Sequence, residues 1–214
     1  YAAGEAPILE GIDLEVGAGE CIAIIGPSGS GKSTLMRIMQ GLEFPEVGTV
    51  KFGGSNIRHL GLANYRRMVA SVTQEDRLLS GSILENLTVF DEKPDHERAT
   101  RWAKACMIHD TIMRMPMNYH SLIGDMGDAL SAGERQRLML ARALYREPRI
   151  LFLDEATSNL DTELDLSIQQ MLAGLKITRI IVTHRPTPLG HANKIFRLEG
   201  GGLKLVVPME QVAA

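Results

Sequence analysis

Apolar and polar positions alternate near the start of the chain, where Ile12, Leu14 and Val16 enclose Asp13 and Glu15. That period of two predicts a half-buried antiparallel strand over 12–16. Gly17 and Gly19 then turn the chain. Residues 21–25 are apolar without a break, as expected of a strand covered on both faces. A glycine-rich loop follows, then a predicted helix over 32–40 stopped by Gly41. A short strand is predicted over 47–52, ended by Gly53 and Gly54. Between 75 and 148 helical spacing dominates, with helices predicted over 99–107, 108–115 (up to Pro116) and 134–145. Strand patterns return at 150–153 and 180–183, separated by a helix over about 162–175. Buried strands alternating with helices predict an α/β fold, a parallel sheet with helices on its faces. A helix-rich insertion divides the two halves of that sheet.

Composition narrows the class only a little. The 214 residues are 44% hydrophobic and 23% charged, with a formal net charge of −3. That excludes a disordered tail or a collagen-like fibre, and nothing in the charge suggests a protein that coats nucleic acid. No apolar run approaches the ~18 residues of a membrane span. No charged-then-apolar leader is visible, so no export signal is predicted. The opening at Tyr1, without a methionine, predicts a piece of a longer chain. Cys21 and Cys106 stand far apart and are predicted to be free buried thiols in a reducing compartment.

The chemistry begins at Gly26-Pro27-Ser28-Gly29-Ser30-Gly31-Lys32-Ser33, a full G-x-x-x-x-G-K-[ST] motif between a buried strand and a helix start. Its glycines let successive backbone N–H groups curl around phosphate oxygens, and the helix N-terminus adds attraction. Lys32 can reach the β- and γ-phosphates. The Ser33 hydroxyl can ligate Mg²⁺, with Thr34 beside it. A plain glycine-rich turn is the structural alternative. The motif by itself implies only a nucleotide binder, since kinases, GTPases and ATPases share it.

The apolar run 150–153 ends in Asp154-Glu155. Carboxylates at the C-terminal end of a buried strand lie where such sheets bind ligands. Asp154 is placed to hold Mg²⁺ through a water, and Glu155 to polarise the water that attacks the γ-phosphate. A lone strand-end Asp would more simply cap a helix or turn. Further along, Leu130-Ser131-Ala132-Gly133-Glu134 opens a helix, with Ser131 and Glu134 spaced as a capping box. Read plainly, this is a well-capped helix; read functionally, it is a second phosphate-facing helix N-terminus.

With these motifs in this order, the chain resembles the ATP-binding cassette family, whose signature reads Leu-Ser-Gly-Gly-Gln. The likeness extends over nearly the whole chain. Gln74 matches the glutamine loop that senses Mg²⁺ and the transmembrane partner. Ser158-Asn159-Leu160-Asp161 matches the dimer-contact loop, His184 the switch histidine, and Tyr1 the aromatic that stacks on adenine. The resemblance implies a mixed-sheet P-loop NTPase (RecA-like) fold, flanked by helices, with an N-terminal antiparallel β-subdomain and an inserted helical subdomain. Its catalytic core would comprise 1–74 and 149–214, its helical subdomain 75–148. Ala132 and Glu134 depart from the signature's first glycine and its glutamine, and Asn159 stands where alanine is frequent. None of these changes removes a catalytic group.

What the resemblance implies is a motor. ATP and Mg²⁺ would be held by the cradle of one chain and closed over by Ser131, Ala132, Gly133 and Glu134 of a second copy, in a head-to-tail homodimer. Glu155 would be the general base, with His184, Lys32 and Gln74 completing the catalytic set. A transmembrane domain, on the same full-length chain, would place the motor at the cytoplasmic face of the membrane, with no nucleic acid involved. The segment Gln74–Leu87, with Gly81, Ser82, Ile83 and Asn86, looks like that of exporters, as does Ile123-Gly124-Asp125-Met126-Gly127. Ala143–Arg146 and 177–186 are similar to exporters of bacteriocins, colicin-V-like peptides and related toxins. Alternatives are an exporter of lipids or drugs, a cassette ATPase of DNA or ribosomes, a small-molecule kinase and a regulatory cassette without turnover. The absence of a coiled-coil insertion and of a second cassette weighs against the DNA and ribosome ATPases, that of an acceptor lid against the kinase, and intact Glu155 and His184 against the regulatory cassette. Arg135, Arg137 and Arg142 are expected on a solvated helix face. The methionines, Met113, Met115 and Met117 among them, are expected in an adaptable core or a membrane-domain contact.

Overall fold

The computed structural model describes residues 7–123, 130–183 and 189–208. In chain order the elements are β1 (Cys21–Ile25), α1 (Lys32–Met39), β2 (Lys51–Phe52), β3 (Ser55–Asn56), α2 (Ile57–Leu60), α3 (Leu62–Met68), β4 (Val69–Val72), β5 (Gly81–Ser82), α4 (Ile83–Leu87), α5 (His96–Ala105), α6 (His109–Met113), β6 (Leu122–Ile123), α7 (Ala132–Tyr145), β7 (Ile150–Asp154), α8 (Thr162–Gly174), β8 (Thr178–Val182), β9 (Lys194–Glu199) and β10 (Gly202–Pro208). They divide into two compact units. The first comprises Tyr1–Val69, Arg149–Asp154 and Lys176–Ala214, the second Ala70–Pro148 and Glu155–Leu175.

The first unit is built on a sheet in which β10, β9, β1, β8 and β7 lie side by side in that order. β9, β1, β8 and β7 run parallel, while β10 pairs antiparallel with β9. The unbroken apolar runs in β1 and β7 follow from this, since strands inside a parallel sheet are buried on both faces. Ile22, Ile24, Phe152, Ile180 and Val182 enter one core with Leu35 and Met36 of α1 and with Ile57 and Tyr65. Tyr65 keeps its hydroxyl satisfied in that core by donating to Met39 O at 2.5 Å.

Two expectations in this unit are corrected. Residues 12–16 join no strand ladder among the described residues, yet Ile12, Leu14 and Val16 are half-buried against the core and Asp13 and Glu15 are exposed. The period of two reports which side of the chain meets the core, not whether a partner strand runs alongside. The strand expected over 47–52 shrinks to β2, paired antiparallel with β3 across Gly53-Gly54. Val47 is 92% exposed and so has no burial to order it as a strand.

In the second unit α4 and α5 pack on α7. Ile83, Leu87, Ala99, Ala103, Ile112, Leu138, Leu140 and Leu144 are buried there. Four of its helices begin where the sequence supplies acceptors: Ser82 caps α4, Asp95 caps α5, Ser131 caps α7 and Asp161 caps α8. β5 and β6 form a short antiparallel pair, Gly81 opposite Ile123. Cys21 and Cys106 are both buried and unbridged. Among the described residues no helix is long and apolar enough to cross a membrane.

Candidate nucleotide site

The glycine-rich loop joins β1 to α1, with strand, loop and helix in the order a phosphate cradle needs. Gly31, the N-cap of α1, has φ 98° and offers no side chain to the first helical N–H groups. No acidic residue stands in that first turn either, so the positive helix end is left for an outside anion. The loop is also too tight for side chains. A Cβ at Gly26 would run into the carbonyl oxygen of Leu198, and one at Gly31 would lie 2.9 Å from Leu9 Cδ2. Lys32 is buried and folds back over the loop, its Nζ donating to Gly26 O at 2.8 Å and Pro27 O at 2.7 Å. An ammonium has three donors, so one remains for a phosphate. The buried Ser30 Oγ has no hydrogen-bond partner among the described residues. A buried hydroxyl without a partner inside a loop of this shape fits a bound phosphate.

Asp154 comes to the same edge of the sheet. Ile24 of β1 stands opposite Val182 of β8, and Val182 opposite Asp154 of β7. The loop after β1 and the Asp154 carboxylate therefore sit together at the C-terminal ends of parallel strands. Ser33, on the first turn of α1, is exposed. A hydroxyl, a carboxylate and substrate phosphates are a donor set that suits Mg²⁺, which seldom relies on an all-protein cage. No cluster of three His, Cys, Asp or Glu fit to hold a metal occurs among the described residues.

The second unit carries the remaining described candidates. Gln74 is exposed in a turn that Asp76 closes, its Oδ2 accepting from Thr73 N at 2.9 Å. Asn86 is buried and secures the next stretch, accepting from Leu79 N and donating to Leu79 O, both at 2.8 Å, and to Ser82 O at 3.0 Å. Glu155, just past β7, has φ 50°. At α7 the capping box is complete: Ser131 N donates to Glu134 Oε2 at 2.8 Å, and Glu134 N to Ser131 Oγ at 3.3 Å. The Ser131 N–H, opposed by partial burial and helped by the Ser131 hydroxyl and Arg137, holds the Glu134 carboxyl below its usual range. Ser131 and Ala132, the latter standing where the family signature has a glycine, are both exposed. Gly133 differs, because a Cβ there would lie 3.0 Å from Asn159 O and 3.3 Å from Leu160 Cδ2.

Tyr1, His184 and the segment 124–127 lie outside the described residues. The arginines of α7 are not a solvated face. All three are half-buried; Arg137 donates to Met107 O, and Arg142 donates to Arg77 O at 3.1 Å. The heads of Arg137 and Arg142 thus tie the helix to neighbouring segments. Burial also pulls the Arg142 guanidinium below its usual pKa. Gln136 carries no role expected from the sequence. It is buried on α7 and bonded to Glu155, Ser158 and Asn159. A polar residue four before the buried Leu140 and seven before the buried Ala143 was the available signal.

The family model for ABC transporters matches residues 9–158. The chain is 48% identical over 198 residues to the probable microcin-H47 secretion/processing ATP-binding protein MchF of Escherichia coli, covering 92% of this chain and 28% of that protein. It is 47% identical over 198 residues to the colicin V secretion/processing ATP-binding protein CvaB of Escherichia coli, with the same 92% and 28% coverage. The chain thus spans little more than a quarter of these relatives. Among solved structures, a bacterial Atm1-family ABC exporter with ATP bound superposes with a TM-score of 0.89 at 32% identity, covering 95% of this chain and 36% of the other. The chain belongs to the ABC transporter family, as its ATP-binding and ATP-hydrolysing domain.

Proposed function

We propose that this chain is the motor of an exporter whose cargo is a peptide of the bacteriocin or microcin kind. The observation that carries the motor reading is the Gly26–Ser33 cradle with Asp154 at the same sheet edge. The cargo reading is supported by the likeness to MchF and CvaB, whose names record secretion of microcin H47 and colicin V. Lys32 and the backbone N–H groups of the loop bind and orient the triphosphate. Ser33, Asp154 and Gln74 hold Mg²⁺, which when bound neutralises charge on the β- and γ-phosphates. Glu155 takes the proton of the attacking water as general base, with His184 completing the site. Tyr1 stacks on the adenine.

The exposed, capped start of α7 supports a shared site. In a head-to-tail homodimer, Ser131, Ala132, Gly133 and Glu134 of one copy close over the triphosphate held by the other. Closure on ATP and release after hydrolysis give the stroke. A transmembrane domain on the same full-length chain receives it at the cytoplasmic face of the membrane, and exposed Met113 and Met117 offer adaptable contact surface.

The test is transport by the full-length chain in sealed vesicles. ATP should drive accumulation of a microcin-type peptide, and Glu155→Gln should abolish it while leaving ATP bound. Accumulation of lipid or drug cargo alone would overturn the peptide reading, and ATP-independent accumulation the motor reading.

A further inference from the structure

The first two turns of α7 face two ways. Ser131 and Ala132 point to solvent, while Gly133 and Gln136 lock onto the loop that follows β7. Gln136 is only 9% exposed and uses both ends of its amide. Its Nε2 donates to Glu155 O at 3.2 Å and Ser158 Oγ at 3.1 Å, and its Oε1 accepts from Asn159 N at 2.9 Å. The acceptors on one side and the donor on the other allow one orientation of the amide only. Gly133 lets the helix approach the same loop, where a Cβ would lie 3.0 Å from Asn159 O.

Glu155 sits in the left-handed region at φ 50°, which a residue with a side chain keeps only where its surroundings impose it. Its carbonyl accepts from Ser158 N at 3.0 Å as well as from Gln136. We propose that Gln136 is a positioning residue, holding the Glu155 backbone in this conformation and so aiming the carboxylate at the attacking water of its own chain's nucleotide. The proposal rests on the shared-site reading with Glu155 as base. In that reading α7 serves one nucleotide through Ser131 and, by way of Gln136, the other through Glu155. Gln136 is then the hydrogen-bonded link between the half-sites at the two ends of one dimer.

The test uses co-purified, differently tagged full-length chains. One carries Lys32→Ala and supplies only its α7; the other carries Ser131→Arg and supplies only its cradle and Glu155. The mixture has a single competent site. Gln136→Glu, close to isosteric but without the amide donors, is then added to either chain. On the cradle-supplying chain it should lower kcat about tenfold or more, with KM for ATP and ATP affinity within about twofold. On the α7-supplying chain it should leave kcat within about threefold. Equal losses from both placements, or a loss in KM alone, or no loss from the cradle-supplying chain, would overturn the proposal. Gln136→Met, read the same way, replaces Gln136→Glu if that variant fails to bind ATP. If the mixture without any Gln136 change is inactive, the shared-site reading has failed instead. Gln136→Glu in otherwise unaltered chains then decides the proposal, which requires kcat to fall while ATP affinity holds.

Discussion

Ser131 and Glu134 complete each other at the start of α7, each backbone N–H donating to the other's side chain. This pair lets the helix end in solvent with the N–H groups of Ser131 and Glu134 satisfied. It also makes the helix start sensitive to acid. The folded state holds the Glu134 carboxyl below its usual range, so the charged cap contributes stability at neutral pH. That contribution is lost as pH falls from about 4.3 through the lowered value. Glu134→Gln keeps an acceptor for Ser131 N without the charge. The unfolding midpoint in urea should be lower for the variant at pH 7, with the gap narrowing as pH falls below about 4.3. A gap that does not change with pH would contradict the assignment.

The neighbouring positions separate tight packing from open surface. Gly133→Ala would press a methyl against Asn159 O, a backbone atom that cannot rotate away. It should destabilise by about 1–3 kcal/mol. Ala132→Gly, at an exposed site, should stay within about 0.5 kcal/mol. Chemical denaturation of both variants checks this, and equal costs would show that the close approach is absent.

Much of the fold was legible because its marks are local. The unbroken apolar run of β1, the complete loop motif and the start of α1 each stand in a few adjacent residues. The pattern at 12–16 misled, because Ile12, Leu14 and Val16 report only a side facing the core and the pairing partner is a property of the whole fold. α4 is five residues long, too short for helical spacing to reveal, although Ser82 and Glu85 carry the same capping pair as α7. Gln136 and Arg142 escaped for another reason: their value lies in what they touch, Glu155 O and Arg77 O, and no spacing in one chain reports a contact across tens of residues.

Both thiols should be inert in the folded chain. Cys21 and Cys106 are fully buried, and burial pushes both above the ordinary thiol range, leaving little thiolate to react. A disulfide reagent should modify neither under native conditions and both of the 2 cysteines after unfolding. Fast reaction of either in the folded protein would contradict the described packing.

Binding and turnover should separate at Lys32 and Glu155. Lys32→Ala removes a charged donor, and ATP affinity should fall about tenfold or more. Glu155→Gln keeps shape and loses the base, so turnover should fall about 10²-fold or more while ATP still binds. Nucleotide titration and phosphate release, run side by side, distinguish the two. Near-normal turnover in Glu155→Gln would remove Glu155 from its role.

The most direct test of the central claim mixes two inactive chains. Lys32→Ala cannot bind ATP well and Ser131→Arg cannot close a partner's site, so each alone should release phosphate at background rate. Co-purified as one dimer, they should recover one working site and about half the normal turnover. A mixture that stays at background, with each chain still folded and the Ser131→Arg chain still binding ATP, would contradict the shared site.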